Sequence, residues 1–390
     1  MKVLQLASSQ FGGTGIAATR LNNALLECGT DSTLITRDNQ YQSLFSKLDS
    51  LASSSLTLTQ KILVQKGSSL VTPLNMNFGE RLKEYLGKAD VIHLHSNYNL
   101  ISIDTLAEME SRGKLIVLTL HDERRLYGGC HYAEGCNQFQ HGCTKCPQAT
   151  WIGKRFMQRE RNNLTKEYPK FKNLKIICPS EWMKSRVVNI RELNGFTSYL
   201  VPNPIPKKSD ALSHTESPFK GHKEKTSLTF ISADLNNPIK NFGLIQDSLQ
   251  LMSGSELGQY RLNLVGRGDV GKLPIGLEVL KHGALAESEV SKVLSETDVL
   301  IVPSLIDNSP NVVSEGLMAG CFVVGSTAGG ILERLSEFGM PTLSPRDPDG
   351  LAAAIKGAAQ NHKREDVSEK AQKLFGFETV ARLVSDIYNS

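Results

Sequence analysis

Two carboxylates, Asp307 and Glu315, stand with seven residues between them in a stretch that runs from Val302 to Gly325. Residues 299–302 are an apolar run and read as a strand; residues 322–324 read as the next buried strand. Between them, Ser309, Pro310 and Asn311 read as a helix start. Proline sits there at no cost for its missing N–H, and its polar neighbours can cap the following turn. Residues 312–319, beginning with Val312, then read as a helix stopped by Gly320. A helix start offers N–H groups and partial positive charge to an anion. Carboxylates beside it accept hydrogen bonds from sugar hydroxyls. One element can therefore hold both the phosphate and the sugar halves of a nucleotide sugar.

Other groups with chemical capacity lie at the ends of further apolar runs. His121-Asp122 closes residues 115–120, where ligands gather in an open α/β sheet; a buried structural histidine is the plain alternative. His93 and His95 share a face of an earlier strand, in core or cleft, and carry no assignment. Lys240 lies in the loop after residues 228–232 and can meet a diphosphate as a compact positive charge. Arg267, in Gly266-Arg267-Gly268 on the next loop, is the candidate for a second charge. Gly12 and Gly13, in Phe11-Gly12-Gly13-Thr14-Gly15, let the backbone approach a ligand. Their spacing is not that of the dinucleotide fingerprint, and an ordinary turn explains them equally well.

Cys130, Cys136, Cys143 and Cys146 fall within seventeen residues, with His131 and His141 among them. In a chain read as cytoplasmic, four close thiols point to a structural zinc site, with reduced thiols or disulfides as the other readings. Cys28, Cys178 and Cys321 sit on apolar elements and read as core thiols.

The elements that position these groups alternate between strand and helix over 390 residues, long enough for two domains. Strands are expected at 3–7, 33–36, 91–95, 115–120 and 174–178, with helices at 16–28 and 101–112. Residues 41–86 show no clear strand. A proline-rich segment at 202–206 and a polar stretch at 207–225 read as a linker. The rhythm then restarts, with strands at 228–232, 261–265 and 299–302 and helices at 242–252, 287–296 (preceded by residues 278–282) and 351–359. One or two helices follow at 367–388. The expected fold class is α/β, with two doubly wound Rossmann-like domains facing a cleft. Hydrophobic content of 40% and charged content of 22% fit a soluble globular chain, and no apolar run reaches membrane-spanning length. The N-terminus does not read as a secretory signal. A net charge of +4 selects no partner. Basic residues from Lys154 to Lys175 form either a solvated helix or a patch for anionic lipid or a diphosphate-linked acceptor.

The stretch 302–325 resembles the donor-binding signature of the retaining GT-B glycosyltransferases of family 4: an acid, seven residues, a glutamate, a helix of small residues and a valine-rich strand. Thr119-Leu120-His121-Asp122, Gly129-Cys130, Cys136, Gly142-Cys143 and Cys146-Pro147 resemble a subgroup of that family. It contains galactosyltransferases of colanic acid synthesis and related exopolysaccharide and O-antigen enzymes. The resemblance covers nearly the whole chain. It implies a GT-B fold with an acceptor-side domain over 1–203 carrying the cysteine-rich loop 129–147. A nucleotide-sugar domain spans 204–366, and a helix at 367–390 returns to the first domain. It also implies Glu315 on the ribose, Asp307 and His121 at the transferred sugar, and Lys240 and Gly12-Gly13 at the diphosphate. Ser309, Pro310, Asn311 and Val312 are the remaining donor contacts expected. Catalysis would retain configuration and need no divalent metal or other cofactor, any zinc being structural. The implied partners are a UDP- or GDP-linked sugar and a lipid-linked or oligosaccharide acceptor. The implied location is the cytoplasm, peripheral to an anionic membrane, with no role for nucleic acid.

Three departures accompany the resemblance. Asp307 replaces the usual glutamate, no arginine lies between Ser232 and Lys240, and Glu123-Arg124-Arg125-Leu126-Tyr127 stands where tryptophan often follows His-Asp. Competing readings are a GT-B epimerase or phosphorylase, a zinc-bearing nucleic-acid-binding protein, and an inactive donor-binding homologue.

Overall fold

The computed structural model describes residues 1–39, 62–65, 77–95, 100–133, 135–207, 225–358 and 363–390. Most of the insert read over 41–86 and of the linker read over 207–225 lies outside these residues. The chain divides into two units, Met1–Pro204 with Val380–Ser390, and Ile205–Thr379.

The first unit holds a six-stranded sheet in the order β2-β1-β3-β4-β5-β6. Its strands are β1 (Lys2–Leu6), β2 (Asp31–Ile35), β3 (Val91–His95), β4 (Leu115–Thr119), β5 (Lys175–Cys178) and β6 (Ser198–Leu200). All neighbours pair in parallel. A parallel sheet is covered on both faces, so its central strands are the most buried, and every residue of β3 is buried, His93 and His95 included. The strand order reverses between β1 and β3, which is where such sheets receive ligands.

The helix after β1 starts at Gly12 and runs to Glu27, rather than starting at residue 16. Glycine is a poor helix former, which hides this first turn from a propensity reading. Two further helices escape the periodicity of the sequence. Gly79–Lys88 begins within the unassigned insert and runs just past its end, burying Leu82 and Leu86. Trp151–Glu167, capped by Thr150, contains much of the basic stretch. That stretch is not one patch. Arg161 is buried, donating to both carboxylate oxygens of Glu192 and to the Phe139 carbonyl. Lys175 is buried, donating to the Ile387 carbonyl at 2.6 Å.

The second unit repeats the plan, in the order β12-β11-β10-β7-β8-β9. The strands are β7 (Thr226–Asp234), β8 (Tyr260–Arg267), β9 (Glu278–Gly283), β10 (Val299–Val302), β11 (Phe322–Ser326) and β12 (Thr342–Leu343). Here the order reverses between β7 and β10. The helix Asn311–Met318 lays Val313 and Leu317, one turn apart, against Leu300 and Val302.

The helix Arg364–Phe375 belongs to this unit, so the return to the first unit comes at Val380 rather than at residue 367. Ala371 and Phe375 are fully buried in the second unit's core, and Phe375 accepts a backbone hydrogen bond from Ile205 at 2.8 Å. The next helix, Phe377–Asn389, carries the chain across. Among the described residues no helix is long and apolar enough to cross a membrane.

Candidate active site

In the second unit, the loops that leave β7 and β10 flank the reversal point. The β7 loop makes a short turn, Pro238–Lys240, in which the Asn237 side chain accepts from the Ile239 N–H. Asn241 then takes a left-handed conformation, with φ 58°, which asparagine tolerates. Its side-chain amide donates to the carbonyls of Pro303 and Pro345, tying the turn to the β10 loop. The Leu305 N–H reaches the Ile239 carbonyl at 2.8 Å. These ties aim Lys240 at Asp307: Nζ to Oδ2 is 2.6 Å, with both side chains partly buried. Two residues assigned separately to diphosphate and sugar are thus paired in the structure.

Asp307 is held from behind as well. Its carbonyl accepts the Gly330 N–H at 2.9 Å, and a Cβ on Gly329, at φ 65°, would lie 1.8 Å from that oxygen. Asn308 is buried beside it and Ser309 is half-buried. Pro310 is the N-cap of the helix Asn311–Met318, and no acidic residue occupies its first turn. Asn311, Val312 and Glu315 are all partly exposed on this helix. Ser304 is 1% exposed, and its hydroxyl has no partner among the described residues. Arg267 is exposed at the end of β8, in register with Asp234 rather than in the loop beyond.

In the first unit, Gly12 and Gly13 form the first turn of the helix after β1, whose N-cap is Phe11. His121 follows β4 beside a pocket lined by Ala17, Leu21, His95, Thr119, His121 and Asn203, among others. Burial lowers the His121 pKa to about 4, so the ring is neutral at pH 7. Burial also works to raise the neighbouring Asp122, but Arg124 outweighs it and holds the carboxyl below its ordinary value. Arg124 makes this possible by donating from its backbone N–H and from its guanidinium. Glu123 is fully buried, and desolvation raises its pKa to about 7 although Arg186 stands 3.3 Å away.

All seven cysteines are free thiols. Cys178 and Cys321 are buried, whereas Cys28 is exposed at the end of its helix rather than in the core. Cys130, Cys143 and Cys146 are buried and Cys136 half-buried. Burial raises the Cys130 thiol well above its ordinary pKa, and the other three thiols add to the effect. Burial also raises Cys143, to about 11, and Cys146, offset in part by the backbone N–H of Gly128 at Cys143 and those of Gln148 and Ala149 at Cys146. Among the described residues no three His, Cys, Asp or Glu side chains stand at metal-binding geometry.

Sequence reasoning passes over Ser304, Asn241 and the Gly329-Gly330 clamp. The glycine pair, set off from the end of β11 by two residues, is the one available signal. Gln5, His95 and Thr119 are visible only as polar residues inside apolar strands.

Residues 225–361 match the family model described as Glycosyl transferases group 1. The putative colanic acid biosynthesis glycosyl transferase WcaC of Escherichia coli K12 is 23% identical over 265 residues. That alignment covers 65% of this chain and 63% of the relative. The fold is shared over the whole chain with sucrose-phosphate synthase from Thermosynechococcus elongatus. Its TM-score is 0.64 at 17% identity, with 98% of that chain covered. Anabaena HepE in complex with UDP-glucose gives a TM-score of 0.62 at 16% identity, with all of this chain and 99% of that chain covered. The chain therefore has the GT-B fold. The residues matched by the glycosyl transferase group 1 model contain Lys240, Asp307 and Glu315.

Proposed function

We propose that this protein is a retaining glycosyltransferase. It moves a hexose from a UDP- or GDP-linked sugar to a lipid-linked or oligosaccharide acceptor during assembly of a bacterial surface polysaccharide, at the cytoplasmic face of the membrane. The observation that carries the reading is the Lys240–Asp307 pair beside the start of the helix Asn311–Met318, whose N-cap is Pro310 and whose first turn holds no acid. A cation and an anion in contact suit a ligand with a diphosphate next to a sugar. Lys240 turns to the phosphate oxygens, and Asp307 is released to accept from a sugar hydroxyl. The UDP-glucose complex of HepE and the likeness to WcaC support this choice of donor and pathway.

In this reading the bond between the anomeric carbon and the diphosphate oxygen breaks, and its electron pair leaves with the diphosphate. Lys240 and the helix start stabilise that charge, usually the largest catalytic contribution. The acceptor hydroxyl adds on the same face, and its proton passes to a diphosphate oxygen. Glu315 holds the ribose. Ser309, Asn311 and Val312 supply further donor contacts, and Arg267 is a second cation for the diphosphate.

A thermal-shift screen against UDP-, GDP-, ADP- and CMP-sugars tests the reading. One donor in large excess should stabilise the fold by about 2–4 kcal/mol. Glu315→Ala should abolish that shift. Stabilisation by nucleic acid and by no nucleotide sugar would overturn the proposal.

The four clustered thiols are proposed to bind one structural zinc, for which the N–H groups facing Cys143 and Cys146 are suited, since they stabilise sulfur as thiolate. Binding requires the side chains to turn toward a common centre. Elemental analysis of purified protein should give about one zinc per chain, lost in Cys143→Ser with Cys146→Ser. A metal-free wild-type protein would exclude the site.

A further inference from the structure

Three histidines of the first unit stack in a row. The ring centroids of His93 and His95 lie 4.4 Å apart, and those of His95 and His121 lie 5.4 Å apart. His93 is fixed by Tyr388 and Thr119, each 2.6 Å from one of its nitrogens. His95 is fixed by Gln5 Oε1, 2.8 Å from Nε2, and by His121 Nε2, 3.1 Å from Nδ1.

The protons in this chain can be placed one after another. The Ser32 hydroxyl donates to Asn22 Oδ1 at 2.9 Å, so its oxygen accepts from Gln5 Nε2, also at 2.9 Å. Gln5 Nε2 reaches Asn22 Oδ1 as well, at 3.3 Å. Both contacts need the Gln5 amide nitrogen on that side, which leaves Oε1 toward His95. A carbonyl oxygen only accepts, so His95 carries its hydrogen on Nε2. Burial keeps the His95 ring neutral. A neutral imidazole has one N–H, so His95 Nδ1 is an acceptor and His121 Nε2 must donate to it. His121 is also neutral, and its Nδ1 is then an acceptor.

We infer that Gln5 and His95 are positioning residues that lock His121 as the Nε2–H tautomer, so that its Nδ1 can only accept a hydrogen bond, as a hydroxyl can give and an ionised phosphate oxygen cannot. Any group at Nδ1 must bring its own hydrogen. A sugar hydroxyl has one, whereas an ionised diphosphate oxygen does not. The ligand class rests on the glycosyltransferase reading; the tautomer does not.

The test is long-range proton–nitrogen NMR of protein labelled with 15N-histidine, at neutral pH without ligand, with signals assigned through His95→Asn and His121→Asn. Wild type should show neutral Nε2–H rings at both His95 and His121. A proton on His121 Nδ1, a mixture of tautomers, or a cationic ring would overturn the inference. His95→Leu removes the acceptor; it should turn the single His121 tautomer into a mixture and lower kcat/KM for transfer by about tenfold or more. His95→Asn places an oxygen where Nδ1 was and should restore both. An unchanged tautomer in His95→Leu would show that His95 is not the lock. If His95→Leu fails to fold, Gln5→Leu serves instead and should scramble the tautomers of both rings; unchanged tautomers would again refute the lock. Correct tautomers in a protein that transfers no sugar would sink the proposed function and leave the lock standing.

Discussion

Lys240→Ala should lower the turnover of glycosyl transfer by about 10²–10³-fold, with KM changing only a few-fold. The asymmetry follows from when the charge appears. In the proposed reaction negative charge grows on the departing diphosphate as the bond breaks, so a lysine at that oxygen would gain more in the transition state than in the bound ground state. The free-protein pair with Asp307 sharpens the argument. Its 2.6 Å contact is partly exposed, so it contributes about 1 kcal/mol or less to stability. A large kinetic loss with an unchanged unfolding midpoint therefore reports on chemistry and not on folding. Steady-state kinetics beside thermal unfolding decide it. Equal losses in turnover and affinity would instead give Lys240 a role in uniform binding.

Gly329→Ala should destabilise the protein by about 2–4 kcal/mol and weaken donor binding. Two effects combine at this position. The left-handed φ of 65° disfavours any side chain, and a Cβ would stand 1.8 Å from the Asp307 carbonyl oxygen. Relief requires the Asp307 backbone to move away, which also breaks its bond with the Gly330 N–H. Gly339 provides a control within the same unit. Its φ is nearly identical at 64°, but a Cβ there would meet nothing within 4 Å. Gly339→Ala should cost only the backbone preference, about 1–2 kcal/mol. Urea unfolding of the two variants, read at constant slope, separates strain from clash. Equal destabilisation would show that the Asp307 loop yields freely.

Legibility in the sequence tracks locality. The ranges 91–95, 287–296 and 299–302 coincide with β3, the helix Glu287–Glu296 and β10. β10 is an unbroken apolar run, β3 is apolar apart from His93 and His95, and Glu287–Glu296 begins with acids suited to a helix start. The helix Trp151–Glu167 is obscured by its many charges, although Met157, Leu164 and the aliphatic part of Arg161 form its buried side. Residue types name the candidate site, but its internal pairing depends on folding. Lys240 and Asp307 are sixty-seven positions apart, and no spacing rule predicts their contact. The same holds for the histidine row, whose members come from β3 and the end of β4 and whose protons are set by β1. A polar residue inside an apolar strand signals a buried partner without identifying it.

His93 and Lys175 find partners in Tyr388 and the Ile387 carbonyl, and these are made only after the entire second unit has been synthesised. Val380, Ala381, Val384 and Ile387 are buried in the same closing helix. Throughout synthesis of the second unit, the first therefore waits with an uncovered apolar seam, a buried lysine lacking its acceptor and a histidine lacking its tyrosine. Domains usually mature in the order in which they leave the ribosome. Here the order is inverted: the unit made first is finished last, and a nascent chain interrupted anywhere before Val380 exposes a surface that quality-control machinery can recognise.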